Sequence, residues 1–306
     1  MGELYDVIIV GAGPAGLSAA VYCRRKLLKT LVISKDIGGQ VLLTGYIENY
    51  LGYGNKNGIE LAGIFESQAR ELKTPILTGD VERIEPEGDA FLIKTPDSEF
   101  KARAVIVTGG SSYKTLNVPG EEELLGRGVS VCATCDAPFA KDRVVAVVGG
   151  GNAAFQSAEL LAKYARKVYI IHRRQSFRAD EILIERARNT PKIEMFTDTG
   201  VVEIMGDKKV DGIVLLDLKT DAQRRVDVDM VFVEIGRVVK LDYVKHLVET
   251  NKHGQIIVDR EQRTSRKGIF AAGDITDLKY GQAIIAAGDG AVAALSAYDY
   301  LRELCP

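Results

Sequence analysis

The chain opens on a short, continuous apolar run, DVIIV at 6–10, the pattern of a strand buried on both faces. A glycine turn, GAGPAG at 11–16, follows it, and LSAAVYCRRKL (17–27) then places apolar residues at helical spacing. TLVIS at 30–34 reads as a second strand. Strand, glycine turn, helix and strand in about 30 residues make a βαβ unit. The pattern recurs in VVAVV (144–148), GGGNAA (149–154), FQSAELLAKYARK (155–167) and VYII (168–171). Turns that begin at 11 and 149 are too far apart to be halves of one sheet, so two domains are predicted. The fold class is α/β, with two Rossmann-like dinucleotide-binding domains.

Between the units, SSYKTLNVPGEEELLGRG (111–128) is polar and broken by Pro119 and glycines, as a crossover segment would be. A second junction is placed around Arg237–His246, after the apolar run MVFVEIG. Near the end, IFAAGDITD (269–277) reads as a strand closed by a glycine turn, and AIIAAGDGAVAALSAYDYL (283–301) as a helix.

Composition narrows the class. With 306 residues, 46% hydrophobic and 27% charged, the chain is globular, and its net charge of −2 excludes the basic footprint that general nucleic-acid binding needs. No apolar run approaches the roughly 18 residues of a membrane span. The acidic start, MGELYDVIIV, predicts no signal peptide, and Asp6 stands where a myristoylation motif wants Ser or Thr. A cytoplasmic protein is expected. Four cysteines do not make a secreted disulfide scaffold.

In GAGPAG, Gly11 permits the tight turn, Gly13 lets backbone approach a pyrophosphate and Gly16 lets the helix pack on the strand. A purely structural glycine turn is the competing explanation. The carboxylate expected some 20 residues on, as a ribose partner, is missing where Ser34 and Lys35 end the second strand. GGGNAA repeats the fingerprint with Gly149, Gly151 and Ala154. Here His172, Arg173 and Arg174 follow the next strand, with Arg178 beyond. Such cations favour a 2′-phosphate over a free 2′-hydroxyl. At roughly 1.5–3 kcal/mol per charged hydrogen bond, two contacts would favour NADP over NAD by about two to four orders of magnitude. A solvated basic loop is the alternative.

CATCD (132–136) carries a C-x-x-C pair, a spacing that closes a small, exchangeable disulfide and lowers a thiol pKa. Asp136 can serve thiol–disulfide exchange as proton donor or acceptor, or simply cap a helix. Zinc would need four ligands; Cys23 lies in the first helix, Cys305 at the tail, and the three histidines are scattered, so no metal is expected.

With these motifs in hand, the sequence resembles the low-molecular-weight thioredoxin reductases of the pyridine nucleotide–disulphide oxidoreductase group, over essentially the whole chain. The resemblance implies FAD at the first fingerprint, with Pro14 and Ala15 joining its glycines. GGQ (38–40) and IENYLG (47–52) match flavin-wrapping segments, so Gly39, Gln40 and Asn49 become contacts. TGG (108–110) matches the turn before the crossover, adding Thr108 and Gly109. AAGDI (271–275) implies Gly273 and a ribityl-holding Asp274, and QAIIAAGDG (282–290) brings Gln282 and Ala283 to the flavin. NADPH would take the second fingerprint, including Asn152 and Ala153. Departures are Gly281 in place of a frequent arginine, Val238 in place of a proline, and TGG for an ATGA-like turn.

The resemblance further implies a discontinuous FAD domain, 1–115 and 244–306, with an NADPH domain, 116–243, inserted in it. Hydride would pass from NADPH to FAD, and electrons then to a Cys132–Cys135 disulfide, Cys135 lying against the flavin and Cys132 attacking thioredoxin. Asp136 would protonate the leaving thiolate. A rotation of the inserted domain and a homodimer are implied as well. Three other readings stay open. One is a ferredoxin–NADP reductase of the same architecture, which would lack the C-x-x-C. Another is a reductase for a glutaredoxin-like or peroxiredoxin-linked carrier, and the third is a non-catalytic flavin-binding redox sensor.

Overall fold

The computed structural model describes residues 3–43, 47, 49–54 and 57–304. Met1–Gly2, Glu48 of the IENYLG segment and Cys305 lie outside them. The chain divides into two compact units, one of Met1–Ser112 with Val238–Pro306 and one of Tyr113–Arg237. Residues 238–243, placed in the insert by the sequence reading, lie in the first unit. There Leu241 is buried in its core, and Ile84 N donates to Tyr243 O at 2.9 Å.

The first unit is built on a seven-stranded sheet. Leu4–Ala12 lies near its middle, with Thr30–Ile37 and then Ile76–Thr78 parallel on one side. On the other side Glu99–Val107 is parallel, pairing both Ile269–Ala271 and the antiparallel hairpin of Ala90–Lys94 and Arg83–Glu87. The apolar run 6–10 shows why the middle strand is fully buried: alternate side chains serve two cores. Val7 and Ile9 face a core shared with Leu17, Cys23 and Ala293, whereas Ile8 and Val10 face Ile84, Ile93 and Val244. The helices Pro14–Arg25 and Ala283–Leu304 pack together through small residues. A Cβ on Gly290 would fall 2.0 Å from Ala15 O, so only glycine allows that crossing.

The second unit carries a five-stranded parallel sheet in the order Ile193–Phe196, Lys167–Ile171, Val144–Val148, Met230–Val233, Val129–Ser130. Helices Asn152–Ala162 and Glu181–Arg188 connect its strands. The stretch between 199 and 226, which the periodicity left unassigned, forms a three-stranded antiparallel sheet. Two cores, one around Phe155 and Phe232 and one around Val231 and Ile213, lie wholly within this unit. Its ends meet where Lys114 N donates to Gly236 O at 3.0 Å. Among the described residues no helix is long and apolar enough to cross a membrane.

Candidate active site

In the first unit, the turn after the opening strand is shaped by contacts that leave no room for side chains. Gly11 has φ +112°, and a Cβ there would lie 2.5 Å from Thr108 O; a Cβ on Gly16 would lie 1.9 Å from Gly11 O. Thr108 Oγ1 locks the turn by donating to Val10 O and Gly11 O, each at 3.0 Å. Gly13 differs. It is the N-cap of Pro14–Arg25, has no side-chain cap, and a Cβ on it would meet nothing within 4 Å. Open space thus lies over an uncapped helix N-terminus, where backbone N–H groups and the helix dipole favour a phosphate. Pro14 suits the first helical turn because it lacks the N–H that would go unpaired there.

The other first-unit motifs gather at this turn. Gly39 has φ +58° and backs onto Gly13, to which its Cβ would approach within 3.4 Å. Gln40 Nε2 donates to Ser111 O, and Ser111 Oγ lies 3.3 Å away. Gly273, φ +78°, fits between Ala15 and Ala286 and so brings the Asp274 turn to both helix starts. Asn49 Nδ2 donates to Gln282 Oε1 at 3.0 Å, and Ala283 packs against the small cluster of Val41, Ile47, Leu61 and Ala62. Ala15 is a buried packing residue rather than an open surface. The strand read as 30–34 runs on to Ile37. Its end therefore includes a carboxylate, Asp36, whose Oδ1 accepts from Gly39 N at 2.9 Å. The sequence reading stopped at Ser34, whose hydroxyl instead accepts from Ala12 N at 3.0 Å. These surroundings fit a dinucleotide pyrophosphate.

The second fingerprint lines a cleft of about 910 Å³, with Gly149–Ala153 on one wall and residues 113–117 and 199–201 on others. His172, Arg173, Arg174 and Arg178 line it too, so the predicted cluster does converge on the turn. Two ties hold the basic loop there. Arg178 N donates to Gly150 O at 2.7 Å, and Asn152 exchanges two hydrogen bonds with Asp180, at 2.8 and 2.9 Å. Among the described residues none of the three guanidiniums enters an ion pair. His172 behaves otherwise. Its ring is buried, stacked on Phe177, and lies so close beneath Gly150 that a Cβ there would come within 2.3 Å. Burial, with the arginines adding to it, holds its pKa below the usual range, so it is a neutral floor to the turn. Gly150 belongs to the glycine turn read from the sequence, though not to the nucleotide contacts expected there. Ala154 is fully buried and packs against Gly149. Gly151 repeats Gly13: an uncapped N-cap with open space above. The far wall is set by Glu121, whose buried carboxylate accepts from Leu116 N (2.9 Å) and Asn117 N (2.8 Å).

A disulfide joins Cys132 and Cys135, with Cα atoms 5.3 Å apart. Cys132 is the N-cap of the single turn Ala133–Asp136, its Sγ accepting from Cys135 N at 3.2 Å. Asp136 ends that turn and stands at the N-cap of the 3-10 turn Ala137–Ala140, with no side-chain capping hydrogen bond. Burial pushes its carboxyl above the ordinary range, against a smaller lowering from a hydrogen bond with Ser130. Glu234, at the end of Met230–Val233, lines the cleft and was also missed from sequence. It accepts from Ser157 Oγ at 2.7 Å, and burial pushes its carboxyl above the ordinary range. Cys23 is fully buried, its thiol pushed up to about 12, and takes no part.

Residues 5–290 match the family model described as pyridine nucleotide-disulphide oxidoreductase. The chain is 42% identical over 303 residues to a thioredoxin reductase of Mycolicibacterium smegmatis, covering 98% of this chain and 97% of that one. It is 42% identical over 302 residues to a thioredoxin reductase of Treponema pallidum, with 98% of each covered. Its structure is similar to the crystal structure of thioredoxin reductase from Streptococcus pyogenes, with a TM-score of 0.95, 38% identity, and 99% and 100% of the two chains covered.

Proposed function

The chain belongs to the pyridine nucleotide-disulphide oxidoreductases, in their thioredoxin reductase branch, and from that premise we propose that it reduces the disulfide of thioredoxin or a similar dithiol protein. The cofactors are FAD and NADPH. When bound, they supply hydride transfer and a two-electron route to the protein disulfide. The observation that carries the reading is the Cys132–Cys135 disulfide, which shares one unit with an arginine-rimmed dinucleotide cleft.

FAD is assigned to the first unit. Gly13 and the helix start behind it would hold its pyrophosphate, Asp36 its ribose, and Asp274, Gln40, Asn49 and Gln282 its ribityl and flavin portions. NADPH is assigned to the cleft of the second, the 2′-phosphate meeting Arg173, Arg174 and Arg178. His172 and Asn152 hold the loop that presents these cations. The 1–112 and 238–306 segments are thus the FAD domain, and 113–237 the NADPH domain.

Once the pair is a dithiol, Cys132 as thiolate attacks one sulfur of the carrier disulfide. A mixed disulfide forms, and the departing carrier thiolate takes a proton from Asp136. Burial keeps that carboxyl protonated to a higher pH than an exposed one. Cys135, as thiolate, then attacks Cys132 Sγ. The intramolecular disulfide re-forms and the second carrier thiolate leaves. A homodimer working in the cytoplasm completes the proposal.

The test is NADPH oxidation by the purified yellow protein against a panel of carriers. Turnover with thioredoxin-like proteins, lost in both Cys132→Ser and Cys135→Ser while flavin reduction by NADPH persists, is expected. Turnover only with glutaredoxin-like or peroxiredoxin-linked carriers would reassign the substrate. No turnover with any carrier would remove the proposal.

A further inference from the structure

Glu121 takes no part in the steps above, yet it shapes the cleft from behind. It follows Pro119 and Gly120 in the crossover and is only 8% exposed. Both of its carboxylate oxygens are engaged by the chain before it: Oε1 accepts from Leu116 N at 2.9 Å and Oε2 from Asn117 N at 2.8 Å. Hydrogen bonds to an ionised acceptor are the strong kind, and these two draw 116–121 into a closed loop. That loop rests on the strand Thr199–Gly206, where Ile204 N donates to Pro119 O at 2.9 Å. Gly120, at φ +82°, lies so close there that a Cβ would come within 1.8 Å of Ile204 O. The segment's other end is tied as well, by the bond from Lys114 N to Gly236 O at 3.0 Å. Between the two ties Asn117 takes φ +56°, and Thr115 Oγ1 donates to its Oδ1 at 2.9 Å. Residues 113–117, which line the cleft, are therefore a wall held at both ends.

Strand order decides which part of a dinucleotide meets that wall. Val144–Val148 lies between Lys167–Ile171 and Met230–Val233. The fingerprint turn follows the middle strand, and Arg173 and Arg174 follow the neighbour on one side. Glu234–Gly236 follow the neighbour on the other side and line the same cleft. In an open parallel sheet a dinucleotide lies across the carboxyl ends of the strands, where the strand order reverses. Its pyrophosphate is assigned to the turn and its 2′-phosphate to the arginines. We infer that the nicotinamide half takes the opposite side, against Glu234–Gly236 and 113–117, and that Glu121 is its positioning residue, fixing this wall through Leu116 and Asn117. The inference rests on reading the cleft as the NADPH site.

Such a division of labour produces a split that a merely structural role would not. NADP+ carries both halves of the nucleotide. The compound 2′,5′-ADP carries the 2′-phosphate half alone. A fault confined to the wall weakens the first ligand and spares the second, whereas loosening of the whole unit weakens both.

The experiment titrates the oxidised, flavin-loaded protein calorimetrically with NADP+ and with 2′,5′-ADP. Glu121→Gln keeps the side chain's size but sets an NH2 group against one of the two N–H donors, so one bond is lost. It should raise Kd for NADP+ about tenfold, the worth of about one hydrogen bond, and leave that for 2′,5′-ADP nearly unchanged. KM for NADPH and KM for NADH should rise by the same factor, because both nucleotides carry the nicotinamide half. Should Glu121→Gln not fold, Asn117→Val replaces it. A β-branched residue at φ +56° forces the same wall to move, and the same split is expected. Any other pattern in a folded variant, equal loss of both ligands or loss of neither included, would overturn the inference and leave the NADPH assignment intact. Wild-type protein that binds neither ligand would overturn that assignment and the inference with it.

Discussion

Asp136 carries two opposed demands, and their opposition can be measured. Its folded pKa is raised, chiefly by burial. A carboxylate of this kind contributes favourably below its unfolded pKa, about 3.9, and loses that contribution as pH rises through the folded value. At neutral pH the ionised form therefore costs stability. Asp136→Asn should melt above wild type at pH 8, with the gap closing as pH falls toward about 4. The same change should cut carrier turnover by roughly 10²–10⁴-fold, the usual contribution of a positioned acid. A variant no more stable at pH 8, or one that turns over normally, would count against this assignment. The arginines make the second residue-level case. Replacing Arg173, Arg174 or Arg178 singly by Ala should raise KM for NADPH roughly tenfold or more, the worth of one charged hydrogen bond, and leave KM for NADH nearly unchanged. Parallel losses for both nucleotides would show that the cluster does not read the 2′-phosphate.

The fingerprint turns separate two uses of glycine within one helix start. A Cβ at position 13 has open space, but one at position 16 would strike Gly11 O at 1.9 Å. Gly13→Ala should fold and melt cooperatively yet lose its flavin absorbance on purification, because the methyl enters the place assigned to the pyrophosphate. Gly16→Ala should fail to accumulate as folded protein. Flavin retained at full stoichiometry by Gly13→Ala would displace the pyrophosphate from that site. This difference also marks how far the sequence could be read. The βαβ units, both glycine turns and the C-x-x-C follow from local periodicity, and TLVIS was recognised as a strand. Its end was misplaced because Lys35 and Asp36 are exposed, so the apolar run stops before the hydrogen-bonded ladder does, and Asp36 went unseen. Glu234 escaped for a different reason, since its partner is a remote hydroxyl, and the packing of Gly150 on a buried imidazole is likewise something only the folded sheet brings about. Pairs such as Gln40 with Ser111 and Asn49 with Gln282, 71 and 233 residues apart, leave no local pattern to read.

At the scale of the whole chain, the second unit is an insertion whose own ends adjoin. Lys114 N bonds to Gly236 O at 3.0 Å, so its entry and exit are already closed upon each other. Both of its hydrophobic cores draw only on residues between 116 and 235. The nucleotide cleft, its three arginines and the disulfide fall within the same limits. Folding of this unit therefore asks nothing of the sheet that carries the first fingerprint, and loop closure adds little when the ends already meet. A protein of residues 113–237 alone should be colourless, unfold in one cooperative transition, and bind 2′,5′-ADP more tightly than 5′-AMP. Its Cys132–Cys135 pair should still cycle with dithiothreitol. The complementary chain, 1–112 joined to 238–306 by a short Gly/Ser linker, should hold FAD and ignore both nucleotides. A 113–237 fragment without a cooperative transition would show that the insert depends on the first unit for its stability. A folded fragment indifferent to the 2′-phosphate would instead locate nucleotide selection outside the cleft.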